Sequence, residues 1–417
     1  MTSPEDAPPP LVVVGASVRA VAASARRAGW SVHAADLFAD ADLGSAATAA
    51  VRVPTGPELP WPAGLEAAVA GFPVAPWIYT GALENHPDLV DRLARSRPLA
   101  GNAGDRLRAV RDPALVARAA RAAGLGFPDT FTDAASLPPD GSFLVKPRAG
   151  AGGRGIARWR GGRPPAGDPI WQRFVPGRPW SAAFAMDRSA ARLFSASRQL
   201  VGRGWCGARG FAWCGAVDVP VAALPASLRS RLDRLGEVLA DRFGLVGLVG
   251  VDLVVDAGGE AHVIEVNPRP TASLELAERA TGESVAATHL AACGVPSPVV
   301  AGATPPRRPP AWAKAVVFAE RTTSFHEHLA ETLANLAGGW VRDDAGWPPL
   351  ADLPKPGDEV AAGGPALTVF AAAGDAAAAL AALRARTATV RMALRRAAVS
   401  PPSASARRGC PPPGSTA

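Results

Sequence analysis

Apolar positions along this chain fall into two rhythms, one of strands and one of helices. LVVVG, Leu11 to Gly15, is an unbroken apolar run ending in a glycine turn, as expected of a strand covered on both faces. Helical spacing follows from Val18 to Gly29, and WSVHAADLF, Trp30 to Phe38, reads as a second strand. This β-turn-α-β order predicts a nucleotide-type α/β layer over residues 11–100. Val74 to Thr80 is a further strand ending in Tyr79-Thr80-Gly81. Ligands sit at strand carboxyl ends in such layers, so Gly15, Ser17 and Tyr79 are candidate substrate contacts, with plain turn chemistry as the alternative. GASVRA lacks the second and third glycines of GxGxxG, which argues against a dinucleotide site.

Further on, RLRAVRDPALVARAARAAGLGFP predicts one helix closed by Gly124 and Gly126. SFLVK carries Lys146 on a strand; four glycines between Gly150 and Gly155 follow, then a second strand. A glycine loop between strands is not a Walker loop. Its backbone N–H groups can nevertheless fold over phosphates, with Lys146 as a point charge; a mobile surface loop is the alternative. WQRFVPGRPW is a short strand broken at Pro176-Gly177, and SAAFAMD and ARLFSASRQL continue a sheet in which Arg198 is a candidate ligand contact. Leu224 to Phe243 and Thr271 to Cys293 are read as helices. Residues 1–10 and 399–417 read as disordered and 296–311 as a proline-rich linker. LPKPGDEVAAGGPALTVFA, within residues 312–398, predicts a small β-rich module with a barrel-like turn.

The most informative stretch is GVDLVVDAGGEAHVIEVNPRP, Gly250 to Pro270. It reads as a β-hairpin with Gly258-Gly259 as the two turn residues. That register sets Asp252 opposite Glu265 and turns Asn267, Val254 and Val263 to the same face. Facing carboxylates on a partly apolar surface must share a proton or hold a cation. Two acids and an amide oxygen suit a hard ion such as Mg²⁺, or Mn²⁺ in its place. A solvent-facing hairpin whose charges happen to align is the competing reading.

Composition narrows the rest. The 417 residues suffice for several domains, and no apolar run reaches membrane-span length. MTSPEDAPPP is acidic and proline-rich, unlike a signal peptide, which predicts a cytoplasmic protein. Net charge is +7, yet only three of the 44 basic residues are lysine and the arginines are scattered among acids. That pattern predicts no nucleic-acid partner. Cys206, Cys214, Cys293 and Cys410 form no CxxC pair, as expected of reduced thiols.

In this order the motifs resemble the ATP-grasp superfamily over Leu11 to Cys293. The resemblance implies a pre-ATP-grasp Rossmann-like domain, then a two-lobed ATP-grasp domain over residues 101–295 with a lid lobe near 127–177, in an α/β fold. It implies ATP contacts by Arg106 on the α-phosphate side, by Lys146, and by the lid glycines Gly150, Gly152, Gly153 and Gly155. Gln172, Arg173 and Val175 would form the adenine hinge, the first two standing where a more acidic pair is often found. Asp252, Glu265 and Asn267 match the magnesium ligands, and Arg269 the catalytic arginine, with Lys146 beside it. The implied chemistry is a small-molecule carboxylate phosphorylated by ATP and then attacked by an amine-type acceptor. GRPWSAAF, SRQL, GVDLV and EVNPRPTAS are similar to predicted carboligases associated with tetrahydromethanopterin-type one-carbon metabolism. A homodimer is the self-association entertained. Bicarbonate activation is an alternative reading, although Lys355 in LPKP lacks the Met-Lys-Met setting of a biotin carrier. A catalytically silent nucleotide-binding scaffold is another.

Overall fold

The computed structural model describes residues 7–298, 311–340 and 347–398. The N-terminal segment beyond Ala7, most of the linker, the C-terminal tail and Cys410 lie outside them. Residues 10–96 form a four-stranded parallel sheet: β1 (Pro10–Gly15), β2 (Ser31–Asp36), β3 (Ala49–Arg52) and β4 (Trp77–Tyr79), ordered β3-β2-β1-β4. Helices α1 (Arg19–Arg27), α2 (Leu43–Ala46), α3 (Leu65–Val69) and α4 (Pro87–Ser96) accompany it. β1 is parallel and inside, which is why its sequence is apolar without alternation. Asp36, where a dinucleotide fold keeps a ribose ligand, accepts instead from the backbone N–H of Val18 (2.6 Å), Phe38 (2.7 Å) and Ala39 (2.8 Å). That carboxylate is spent on holding its own loop.

The single helix expected after Arg106 is two, α5 (Gly104–Val110) and α6 (Pro113–Ala122). Asp112 caps the second through the N–H groups of Ala114 and Leu115, and Pro113 takes its first position, where a missing N–H costs nothing. Strands β5 (Thr130–Phe131), β6 (Phe143–Pro147), β7 (Ala157–Arg158) and β8 (Pro169–Arg173) then make a small antiparallel sheet, β5-β8-β6-β7.

The central sheet comes next, from β9 (Arg178–Met186), β10 (Ala191–Val201), β11 (Trp213–Val219), β12 (Gly247–Val255) and β13 (Ala261–Asn267). α7 (Ala226–Phe243) packs on one face with α6, burying Leu232, Leu235 and Leu239 against Phe184, Val249 and Val251. α8 (Leu274–Thr281) and α9 (Val285–Ala292) cover the other face; the single helix read over Thr271 to Cys293 breaks at Gly282.

The terminal module is not a barrel. β14 (Ala311–Phe318), β15 (Thr323–Ser324), α10 (Glu327–Gly338), β16 (Leu350–Ala351), β17 (Glu359–Val360), β18 (Pro365–Ala373) and α11 (Ala376–Ala397) follow one another. β14, β18 and β16 extend the central sheet to eight strands, β13-β12-β9-β10-β11-β14-β18-β16, because β14 pairs directly with β11.

A buried ionic junction fastens the three parts. Glu275 of α8 accepts from Arg19 Nη1 (2.8 Å) and Nη2 (2.9 Å), Arg279 Nη2 (3.1 Å) and Lys314 Nζ (3.1 Å). Arg19 Nε also donates to Asp352 (2.8 Å) and lies 3.5 Å from Asp42. Arg19 and Asp42 belong to the first domain, Lys314 and Asp352 to the last. Burial works against the Glu275 charge, but Arg19, Lys314 and Arg279 hold it well below the usual carboxylate range.

Candidate active site

The site is built on the β12–β13 hairpin, where Asp252 pairs with Glu265 and Gly250 with Asn267. The expected two-residue turn is not what produces this register. Asp256 and Glu260 close a longer loop, in which Gly259 at φ +82° takes the left-handed position. One residue is gained there, and a bulge at Ile264 restores the count, since Leu253 pairs with Val263 but Asp252 with Glu265. The bulge also corrects the faces. Val263, fully buried, packs in the α7-side core with Leu253, and Ile264 lines the pocket beside Glu265.

Polar partners converge on the acid pair. Gln199 Nε2 donates to Asp252 Oδ1 (2.6 Å) and Asn267 Nδ2 to its Oδ2 (3.2 Å). Arg111 donates to Glu265, and its Nη2 lies 3.5 Å from Glu84. Arg269 Nη2 donates to Glu84 and to Asn267 Oδ1 (3.3 Å). Burial, then the neighbouring Glu265 charge, pushes Asp252 up to about 6. This is the electrostatic mark of an acid pair that a cation would relieve. Glu84 is 1% exposed; burial opposes its charge, but Arg269 and then Arg111 hold it below the usual carboxylate value.

Above the hairpin, Lys146 on β6 donates to Gln172 Oε1 on β8 (3.1 Å), and Gln172 Nε2 donates to Thr130 (3.2 Å). Burial lowers the ammonium pKa, while the Glu265 and Asp252 charges act against the shift. Lys146, Gln172, Gly150, Gly152, Gly153, Glu265 and Arg111 wall one pocket. The glycine loop is docked at both ends of that pocket. Asn85 Nδ2 donates to Gly150 O (3.2 Å), and Trp213 N–H donates to Gly152 O (3.0 Å). Gly153, at φ +77°, lies so close to the strand loop that an added Cβ would sit 1.9 Å from the Phe211 carbonyl oxygen. Gly155, also left-handed, stands beside Pro147 in the same loop.

Several expected contacts fall elsewhere. Arg106 is not on the pocket wall; it lies near Gly244. At about 100° per helical residue, Arg111 points some 140° away from Arg106, and Arg111 is the basic residue at the acid pair. Arg198 pairs with Trp180 and Val217, so alternation turns it from the Asp252 face, which its neighbour Gln199 occupies. Arg173 is exposed and paired with Asp129 at 3.3 Å, and Val175 is half-buried beyond the end of β8. Tyr79 is buried, its hydroxyl donating to the carbonyls of Asn102 (2.7 Å) and Pro268 (3.3 Å), a clasp between the first domain and the hairpin. Gly15 and Ser17 stand at the mouth of the same domain, with Thr80 Oγ1 donating to Ser17 O (2.9 Å). The sequence reading missed Glu84 and Arg111. The signals available were an acid just past the β4 turn and an Arg-Asp-Pro helix break.

A glycine-loop sheet closing over a lysine and an antiparallel hairpin with facing acids, behind a parallel α/β domain, is the ATP-grasp fold. Residues 110–273 match the family model described as ATP-grasp domain. Among solved structures the chain is similar to N5-carboxyaminoimidazole synthetase from Staphylococcus aureus complexed with ADP. The two share 14% identity at TM-score 0.62, over 91% of this chain and 97% of that one. It is also similar to biotin carboxylase from Campylobacter jejuni, at 14% identity and TM-score 0.63, over 92% of this chain and 94% of that one. L-amino acid ligase from Bacillus licheniformis gives 14% identity and TM-score 0.61, over 91% of this chain and 96% of that one. No curated protein matches the sequence. Among the described residues no helix is long and apolar enough to cross a membrane.

Proposed function

We propose that the protein is an ATP- and Mg²⁺-dependent ligase that activates a substrate carboxylate as an acylphosphate for attack by an amine or similar nucleophile. One observation carries the reading: Glu265, which faces Asp252 across the hairpin, shares a pocket wall with Lys146 and a docked glycine loop. A donor set of two carboxylates and the Asn267 amide oxygen fits Mg²⁺, with the raised Asp252 pKa supporting a cation there. Mg²⁺ held by these three residues would neutralise charge on the transferring phosphoryl group.

In this mechanism a carboxylate oxygen attacks the γ-phosphorus and the bond to the ADP oxygen breaks. The acceptor amine then attacks the acyl carbon, inorganic phosphate leaves, and the amine loses a proton. Lys146, oriented by Gln172, offsets charge on the phosphates, and Arg269, held by Glu84, offsets charge on the acylphosphate. The glycine loop excludes water from the intermediate. Resemblance of the EVNPRPTAS region to one-carbon-associated carboligases makes carboxylate and amine precursors of such cofactors the first compounds to assay.

Replacing Glu265 by Gln keeps the shape and removes half of the acid pair. ATP turnover should vanish while circular dichroism stays native; undiminished turnover would refute the metal assignment.

A further inference from the structure

Around Arg269 a group of buried polar atoms has no hydrogen-bond partner within the protein: Glu84 Oε2, Asn85 Oδ1, Arg269 Nε, and Arg111 Nε and Nη2. Buried polar groups are nearly always satisfied, so a cluster left open beside the pocket that Arg111 lines marks what a ligand completes. The cluster has two signs. Glu84 and Asn85 are neighbours on one 3₁₀ turn, Leu83–Asn85. Glu84 gives only Oε1 to Arg269, and Asn85 spends its amide N–H on Gly150, so each presents an unfilled acceptor. The arginines present unfilled donors beside them.

A carboxylate without an amino group, bicarbonate included, brings acceptors only. It would satisfy the arginines and meet Glu84 as a like charge. An amine alone leaves the arginine edges open. Only a molecule with an ammonium next to a carboxylate answers both.

We propose that the substrate activated here is an amino acid, its ammonium held by Glu84 Oε2 and Asn85 Oδ1 and its carboxylate by the free edges of Arg269 and Arg111. This rests on the ligase reading above. The carboxylate oxygen forms the new bond to the γ-phosphorus as the bond to ADP breaks; the ammonium keeps its protons and is not the nucleophile.

The test uses the full chain with Mg·ATP, the twenty free amino acids, their N-acetyl derivatives, amino-free carboxylates and bicarbonate. Hydroxylamine serves as a generic acceptor, and both ADP and hydroxamate are measured. At least one free amino acid should give both products, and N-acetylation should cut kcat/KM at least about 100-fold, since it removes the positive charge and two of the three N–H donors that Glu84 and Asn85 would bind. Glu84→Gln should raise KM for that amino acid by about tenfold or more with KM for ATP little changed. If the buried Glu84 variant folds poorly, Asn85→Ala, at a part-exposed position, should likewise raise KM for the amino acid by about tenfold or more, with KM for ATP rising as well because the same side chain holds Gly150. Equal turnover of the N-acetyl form, or turnover confined to bicarbonate or amino-free carboxylates, overturns the proposal, as does failure of all twenty amino acids. Calorimetric titration of Mg·ATP separates the two levels. Failure to bind nucleotide sinks the ligase reading itself, whereas binding without amino-acid turnover sinks only this inference.

Discussion

Glu275 bonds Arg19 of the first domain and Lys314 of the last, and its removal measures how far the three parts of the molecule depend on that junction. It is 6% exposed and accepts four hydrogen bonds from Arg19, Arg279 and Lys314. With Asp352 and Asp42 it balances three cations by three acids. Glu275→Gln keeps the volume and one acceptor oxygen but leaves a buried excess of one positive charge. Breaking a buried pair in this way costs about 3–5 kcal/mol, because the remaining partner keeps its desolvation penalty. For a protein of this size that corresponds to about 3–6 °C in Tm, read by tryptophan fluorescence on heating. Arg92→Ala is the matched control, since Arg92 and Glu66 pair at 3.0 Å with both side chains about half exposed; such pairs contribute about 0–1 kcal/mol. Adding Arg279→Met to Glu275→Gln should recover part of the loss, because Arg279 pairs with Glu275 whereas Arg19 keeps Asp352. A Glu275→Gln shift no larger than the Arg92→Ala control would refute the idea that this junction holds the domains together.

Gly153→Ala should raise KM for ATP about tenfold or more while Tm stays within about 2 °C: its Cβ meets the Phe211 carbonyl oxygen at 1.9 Å and its φ is +77°, so the loop must undock. Steady-state kinetics with native-like melting checks this. Mg·ATP should protect residues 150–155 from proteolysis, and identical digestion with and without nucleotide would count against the lid. Acid stability should depend on His289, whose Nε2 bonds Ala100 O (2.9 Å) while Nδ1 accepts from Leu248 N–H (2.8 Å), fixing the neutral ring. Burial pulls its pKa down to about 4. The unfolded chain therefore takes this proton near pH 6.5 and the folded chain only near 4, so stability present above 6.5 is lost on acidification through that window, by about 1.4 kcal/mol per pH unit. His289→Gln should flatten the difference in unfolding free energy between pH 7 and pH 4.5; an unchanged slope would refute it.

How the sequence could be read is clearest at the hairpin. Alternation correctly set Asp252 across from Glu265, yet through a two-residue turn that does not form; the longer loop at Gly259 and the bulge at Ile264 cancel in the register. Alternation fixes which residues share a face only while the ladder is unbroken, so Val263 was assigned to the wrong side. Arg106 failed for a different reason. The Asp112-Pro113 cap was visible as a helix start, and reading it as one would have made Arg111 a terminal residue pointing at the next element. Glu84 was beyond reach in another way, because its significance comes from Arg269, 185 positions away, and nothing local to either residue encodes that meeting. The same holds for β14 against β11: each strand is legible from its own apolar pattern, but a pattern names a face and never a neighbour. Local physics thus delivered the strand, the loop and the acid pair, and long-range packing chose which arginine answers them.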